Sequence, residues 1–99
     1  MKDTAHREEH EHPMGKVIGT VAPGVTADWI AVVMVLTTSG RITHRNVESF
    51  DCSKKLARAN LIGMIYEAYD FATEQYAEVM DARVAAIAEA RSIVDQSNA

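Results

Sequence analysis

Residues 53 to 97 are forty-five consecutive positions with no proline and one glycine, Gly63, dominated by Ala, Leu, Met, Glu and Arg. These residues lose the least on entering a helix, so the run predicts one helix. At about 1.5 Å per residue an unbroken helix of that length spans roughly 67 Å, about twice the width of the domain that 99 residues can build. Such an element must overhang, fold back or meet a partner. Folding back requires a break signal, and no Gly, Pro or Asn occurs between Tyr66 and Asp95. One long rod, bent at most, is therefore expected.

An apolar stripe runs along it through Leu61 or Ile62, Ile65, Tyr69, Ala72, Tyr76, Val79 or Met80, Val84, Ile87 and Val94, in steps of three and four. The first half should pack on the rest of the chain, with Gly63 marking a close approach. The second half, with Val84, Ile87 and Val94, reads as an oligomer contact, so a homodimer is expected.

Ahead of the helix the pattern changes period. Residues 1 to 14 are charged, rich in histidine and without apolar periodicity, which reads as a flexible polar tail. The single domain is then 15 to 99. Strands are expected at about 16–22, 28–38 and 41–49: KVIGTVA is β-branched, Pro23-Gly24 and Ser39-Gly40 mark turns, and RITHRNVESF alternates. The run from Trp29 to Leu36 is apolar on both alternating faces. A strand of that kind is covered on both sides, one side by a second subunit. Asp51 or Ser53 supplies the helix N-cap. The fold expected is α+β, a three-stranded antiparallel meander followed by a long C-terminal helix.

A net charge of −4 excludes a chain built as a whole to coat nucleic acid. The eight-residue apolar run is too short to span a membrane, which takes about twenty residues. A single cysteine, Cys52, and an N-terminal stretch without the apolar segment of a signal peptide place the chain in the cytoplasm.

Little in the sequence carries chemistry. His6, Glu9 and His10 spell H-x-x-E-H, a zinc pattern on a helix, but here it lies in the polar tail; His6, His10 and His12 are weak metal candidates only. Cys52 beside Lys54 and Lys55 would favour thiolate, with His44 as a conceivable base, yet no oxyanion pocket or phosphate loop accompanies them. No catalytic residue and no cofactor are assigned, and the chain reads as a non-enzyme.

Two charged groups remain. Arg41, Arg45, Lys54, Lys55 and Arg58 oppose only Glu48 and Asp51 within residues 39 to 58, a basic patch suited to phosphate but lacking interleaved aromatic rings. On the helix, Glu67, Asp70, Glu74, Glu78 and Asp81 recur once per turn as an acidic ridge, beside Tyr66, Tyr69 and Tyr76. Like charges at this spacing repel, by a few tenths of a kcal/mol per pair, so the ridge asks for a reason. A surface complementary to a basic protein partner is one.

The small size, the lack of catalytic residues and the segregated charge resemble the accessory and inhibitor proteins of phages and mobile elements, anti-CRISPR proteins among them. The likeness is compositional and carries no motif. The function expected is protein binding through the acidic and tyrosine face of the helix. The alternatives are a nucleic-acid accessory using the basic patch, and a small-molecule or metal-responsive module using His44, Cys52 or the tail histidines.

Overall fold

In the computed structural model, which describes residues 5 to 98, the chain forms four strands and one helix. They are β1 (His6–His12), β2 (Gly15–Pro23), β3 (Trp29–Thr37), β4 (Ile42–Phe50) and α1 (Lys54–Ser97). The strands make one antiparallel sheet in the order β1-β2-β3-β4. The meander and the long helix agree with the sequence, but the sheet has four strands where three are expected.

The extra strand lies in the stretch read as a flexible tail. Its register sets His6, Glu8, His10 and His12 opposite Val21, Gly19, Val17 and Gly15, so these four share the face on which α1 lies. Arg7, Glu9 and Glu11 take the other face. The period-2 alternation was present in HREEHEH, but in polar residues, where apolar periodicity carries no signal. What orders the strand is the open edge of β2, whose backbone N–H and C=O groups it pairs. Residues 1 to 4 lie outside the described residues.

Hairpin chemistry sets the connections. Gly40 at φ +84° takes the left-handed region that the β3–β4 turn needs. Its amide donates to the Thr37 carbonyl at 2.8 Å, and a register shift follows at Val35/Leu36.

The helix starts where its cap predicts. Ser53 Oγ accepts from the Leu56 amide at 3.3 Å, whereas Asp51 accepts from the amide of Asp28. From there α1 runs 44 residues without interruption, and the molecule measures 74 × 19 × 18 Å. Its first half lays Ala57, Leu61, Met64, Ile65, Ala68 and Ala72 on Val17 and Val21 of β2 and Ala31, Val33 and Val35 of β3, which together form the core.

The glycine that lets helix and sheet approach closely is Gly19, not Gly63. A Cβ on Gly19 would stand 2.6 Å from Ile65 Cδ1, whereas one on Gly63 would meet nothing. The expectation for Gly63 is thus corrected: the residue points to solvent, about a quarter-turn or more from the buried row.

The sheet has a second face, and among the described residues no other element lies on it, the one helix being packed on the first. Ile18, Thr20 and Ala22 of β2 pair across with Met34, Val32 and Ile30 of β3, and all but Ile18 are partly exposed. Among the described residues no helix is long and apolar enough to cross a membrane.

Candidate protein-binding interface

Beyond Ala72 the helix leaves the sheet. From Tyr76 to Asn98 every residue is exposed, a projection of roughly 33 Å at about 1.5 Å per residue. Val79, Met80, Val84, Ile87, Ile93 and Val94 are between 36% and 62% exposed. Met80, Ile87 and Val94 recur at intervals of seven with Val84 between, so they line one side of the projecting arm. Val84, Ile87 and Val94, the sequence-assigned contact residues, thus sit together on the arm and touch no other element.

The acidic ridge is on a different side. At about 100° per residue Glu67, Asp70, Glu74, Glu78 and Asp81 fall within an arc of about 80°, facing away from the buried row. All five are exposed. They run from the sheet-covered half onto the arm.

The tyrosines divide. Tyr66 is 59% exposed and meets the edge of His10, with ring centroids 6.0 Å apart. Tyr69 packs against the core, and the ring of His12 stands edge-on to it at 4.6 Å and to Tyr76 at 6.3 Å. All three therefore meet a histidine ring of β1, and Tyr69 and Tyr76 share His12. Only the sheet register shows this, since His12 and Tyr69 are 57 residues apart in sequence.

His12 is the one buried polar residue among those described. Its Nδ1 accepts from the Met14 amide at 3.0 Å, which leaves the proton on Nε2, and Nε2 donates to Thr73 Oγ at 3.1 Å. Thr73 in turn donates to the Tyr69 carbonyl at 3.0 Å. Both ring nitrogens are engaged, so His12 is a structural residue and not a free ligand.

His6 and His10 lean toward Glu8 from either side, with Nε2 to carboxylate distances of 3.1 and 3.8 Å. Glu9, the glutamate of the H-x-x-E-H pattern, projects from the opposite face, because the segment is a strand and not a helix. Among the described residues no three His, Cys, Asp or Glu side chains converge as a metal site.

The basic patch assembles only in part: Lys54, Lys55 and Arg58 line one shallow groove at the start of the helix, and Arg41 and Arg45 do not join them. Arg45 lies on the open face of the sheet, in register with Met34 and Ile18, whereas Lys54, Lys55 and Arg58 begin the helix on the other side. Arg41 opens β4 and Lys54 follows its far end, about 30 Å away at 3.3 Å per strand residue. Lys54 instead sits 5.9 Å over the Trp29 ring. His44 stacks on Phe71 with centroids 4.6 Å apart. Six residues of extended strand, about 20 Å, separate it from Phe50, two positions before Cys52, so no thiol–imidazole pair forms.

Glu9 is a carboxylate with two cationic neighbours. The Arg7 guanidinium hydrogen-bonded to it, and then Lys16 at 3.9 Å, hold its carboxyl below the ordinary 4.5. All three side chains lie on the open face. Comparison of the chain with protein-family models, curated proteins and solved structures gives no match.

Proposed function

We propose that the protein is a non-enzymatic binding module whose projecting helix engages another protein. The observation that carries this reading is the arm itself: about twenty residues of helix that touch nothing else in the chain, with an apolar stripe along one side. Most helix stability in proteins comes from packing of one face, and among the described residues this stretch packs on nothing. An apolar stripe left bare on such a helix fits the groove of a partner, with residues of the i, i+4, i+7 set as anchors. The acidic ridge beside it sets the chemistry of that groove: an apolar floor with a basic rim.

The role is that of an accessory or inhibitor protein, of the kind carried by phages and mobile elements, acting in the cytoplasm. The dispersed basic residues and the engaged histidines give the nucleic-acid and metal readings no comparable support.

The test is capture of partners by the immobilised protein from nuclease-treated lysate. Glu74→Lys with Glu78→Lys, and separately Val84→Lys with Ile87→Lys, should each abolish capture of the same protein while leaving the melting temperature within about 2 °C, since all four side chains are exposed. Capture that survives both pairs of substitutions would rule the arm out as the binding element.

A further inference from the structure

The open face of the sheet carries a second inference, independent of what the arm binds. Strand β3 is apolar on both sides, but α1 covers only Ala31, Val33 and Val35. The alternate residues Ile30, Val32, Met34 and Leu36 are half-buried by their neighbours in the sheet alone. Beside them lie Ile18 and Val47, the latter 51% exposed. Antiparallel sheets with one solvated face normally alternate apolar and polar residues; this strand does not. Such a face calls for an apolar cover.

We propose that the cover is the same face of a second copy, related by a two-fold axis that lies between the sheets and runs along the strands. Two observations select this occupant. One is area. Four strands at about 4.8 Å spacing and nine residues of about 3.3 Å present roughly 570 Å² per copy before side-chain relief is counted. Two copies then bury close to the lower bound of about 1,200 Å² that stable interfaces need.

The other is charge. Glu9, Ile18, Met34 and Arg45 form one register row across the sheet, acidic at the β1 edge and basic at the β4 edge. An axis along the strands exchanges the two edges, so Glu9 of each copy meets Arg45 of the other across an apolar centre of Ile18 and Met34. An axis across the strands would instead lay β4 on β4. The open face of β4 offers Ile42, Arg45, Val47 and Ser49, opposite Leu36, Met34, Val32 and Ile30, with no carboxylate to receive Arg45. Within one chain Arg45 makes no ion pair among the described residues, so the first arrangement alone supplies its counter-charge.

The symmetry fixes the shape of the assembly. An axis along the strands leaves their direction unchanged, so both helices lie on the outside of the sandwich and both arms leave from the same end. The dimer is a two-pronged object. Its prongs stand roughly 30 to 40 Å apart, given sheets about 10 Å apart and a helix about 10 Å thick on each. The expected contact through Val84, Ile87 and Val94 is thereby moved to the sheet, and the arms stay free for a ligand.

Sedimentation of the full chain should give a dimer, twice the 10.9 kDa of one copy. A monomer at micromolar concentration would overturn the proposal. Met34→Lys, on the open face, should give a folded monomer with unchanged circular dichroism, whereas Val84→Lys with Ile87→Lys should stay dimeric; the reverse pattern would place the contact on the arm. Arg45→Glu should weaken the dimer about tenfold, and adding Glu9→Arg should recover part of that loss, because the pair is inverted while the contacts of Glu9 to Arg7 and Lys16 are given up. Failure of the second substitution to recover any of the loss would reject the Glu9–Arg45 pairing.

Spin labels at Gln96→Cys in a Cys52→Ser background report the axis. A separation of about 30 to 40 Å is expected for prongs on the same side. About 100 Å, the value for arms leaving opposite ends, would reject the axis along the strands.

Discussion

At the scale of single residues, two positions, His12 and Gly19, decide how strand and helix fit. His12 is buried and bonded through both ring nitrogens to Met14 and Thr73. Replacing it with Ala leaves the part-buried Met14 amide without its partner, at a cost of about 1–3 kcal/mol when uncompensated, whereas the exposed Thr73 hydroxyl turns to water and keeps the Tyr69 carbonyl. Chemical denaturation of His12→Ala should show a loss of at least 1 kcal/mol, and Thr73→Val a smaller one. The two glycines of the packed region should respond oppositely. Gly63→Ala should stabilise by about 0.5–1 kcal/mol, since its Cβ enters open space and the unfolded chain loses freedom. Gly19→Val should destabilise by about 1–3 kcal/mol, since Ile65 must move. Glu9 gives the pH dependence. Its folded value is depressed, so its contribution is present above the ordinary 4.5 and is lost as pH falls through the lower folded value. Because the group is exposed the effect is small and screened by salt. A Glu9→Gln protein should show a shallower loss of stability below pH 4.5, most visibly at low ionic strength.

At the scale of elements, the two halves of α1 do different work. Lys54 to Ala72 hold every core residue that the helix contributes, and Thr73 and Tyr76 add the contacts to His12. Nothing beyond Tyr76 is buried. Ending the chain after Met80 should therefore leave a cooperatively folded domain whose melting temperature falls by no more than a few degrees. Its helical circular dichroism should drop in proportion to the residues removed. Loss of the cooperative transition would mean that the arm stabilises the domain through contacts that a single chain does not make. The edge strands divide similarly. β1 blunts its edge with alternating His, Glu and Arg, which disfavours addition of another strand, so assembly through the sheet face is favoured over assembly through the edge.

At the scale of the whole molecule, shape is the property that a measurement reaches first. The Cα radius of gyration is 19.8 Å, against about 13 Å for a compact chain of this length. Small-angle scattering of the Met34→Lys protein should give a value near 20 Å, because the arm stays extended when it has no partner. A value near 13 Å would mean that the arm folds back onto the bare sheet face, the one apolar surface of the chain wide enough to receive it.

The sequence alone determined the helix, a cap at Asp51 or Ser53, the three strands from Gly15 onward and the acidic ridge. Each of these rests on local periodicity or on a single turn or capping residue, and such signals do not depend on distant contacts. It also carried the double apolarity of the strand at Trp29 to Leu36, which marked a face needing cover. What only the tertiary structure decided is everything that depends on pairing across distance. The polar segment from His6 to His12 becomes a strand because β2 offers it an edge, and it spends Tyr69 and Tyr76 on His12. The basic residues, adjacent in sequence, separate because a strand sends Arg45 to the face away from the helix and carries Arg41 to the far end. The helix stays straight past the sheet because nothing in its backbone breaks it and nothing in the chain reaches far enough to hold its second half.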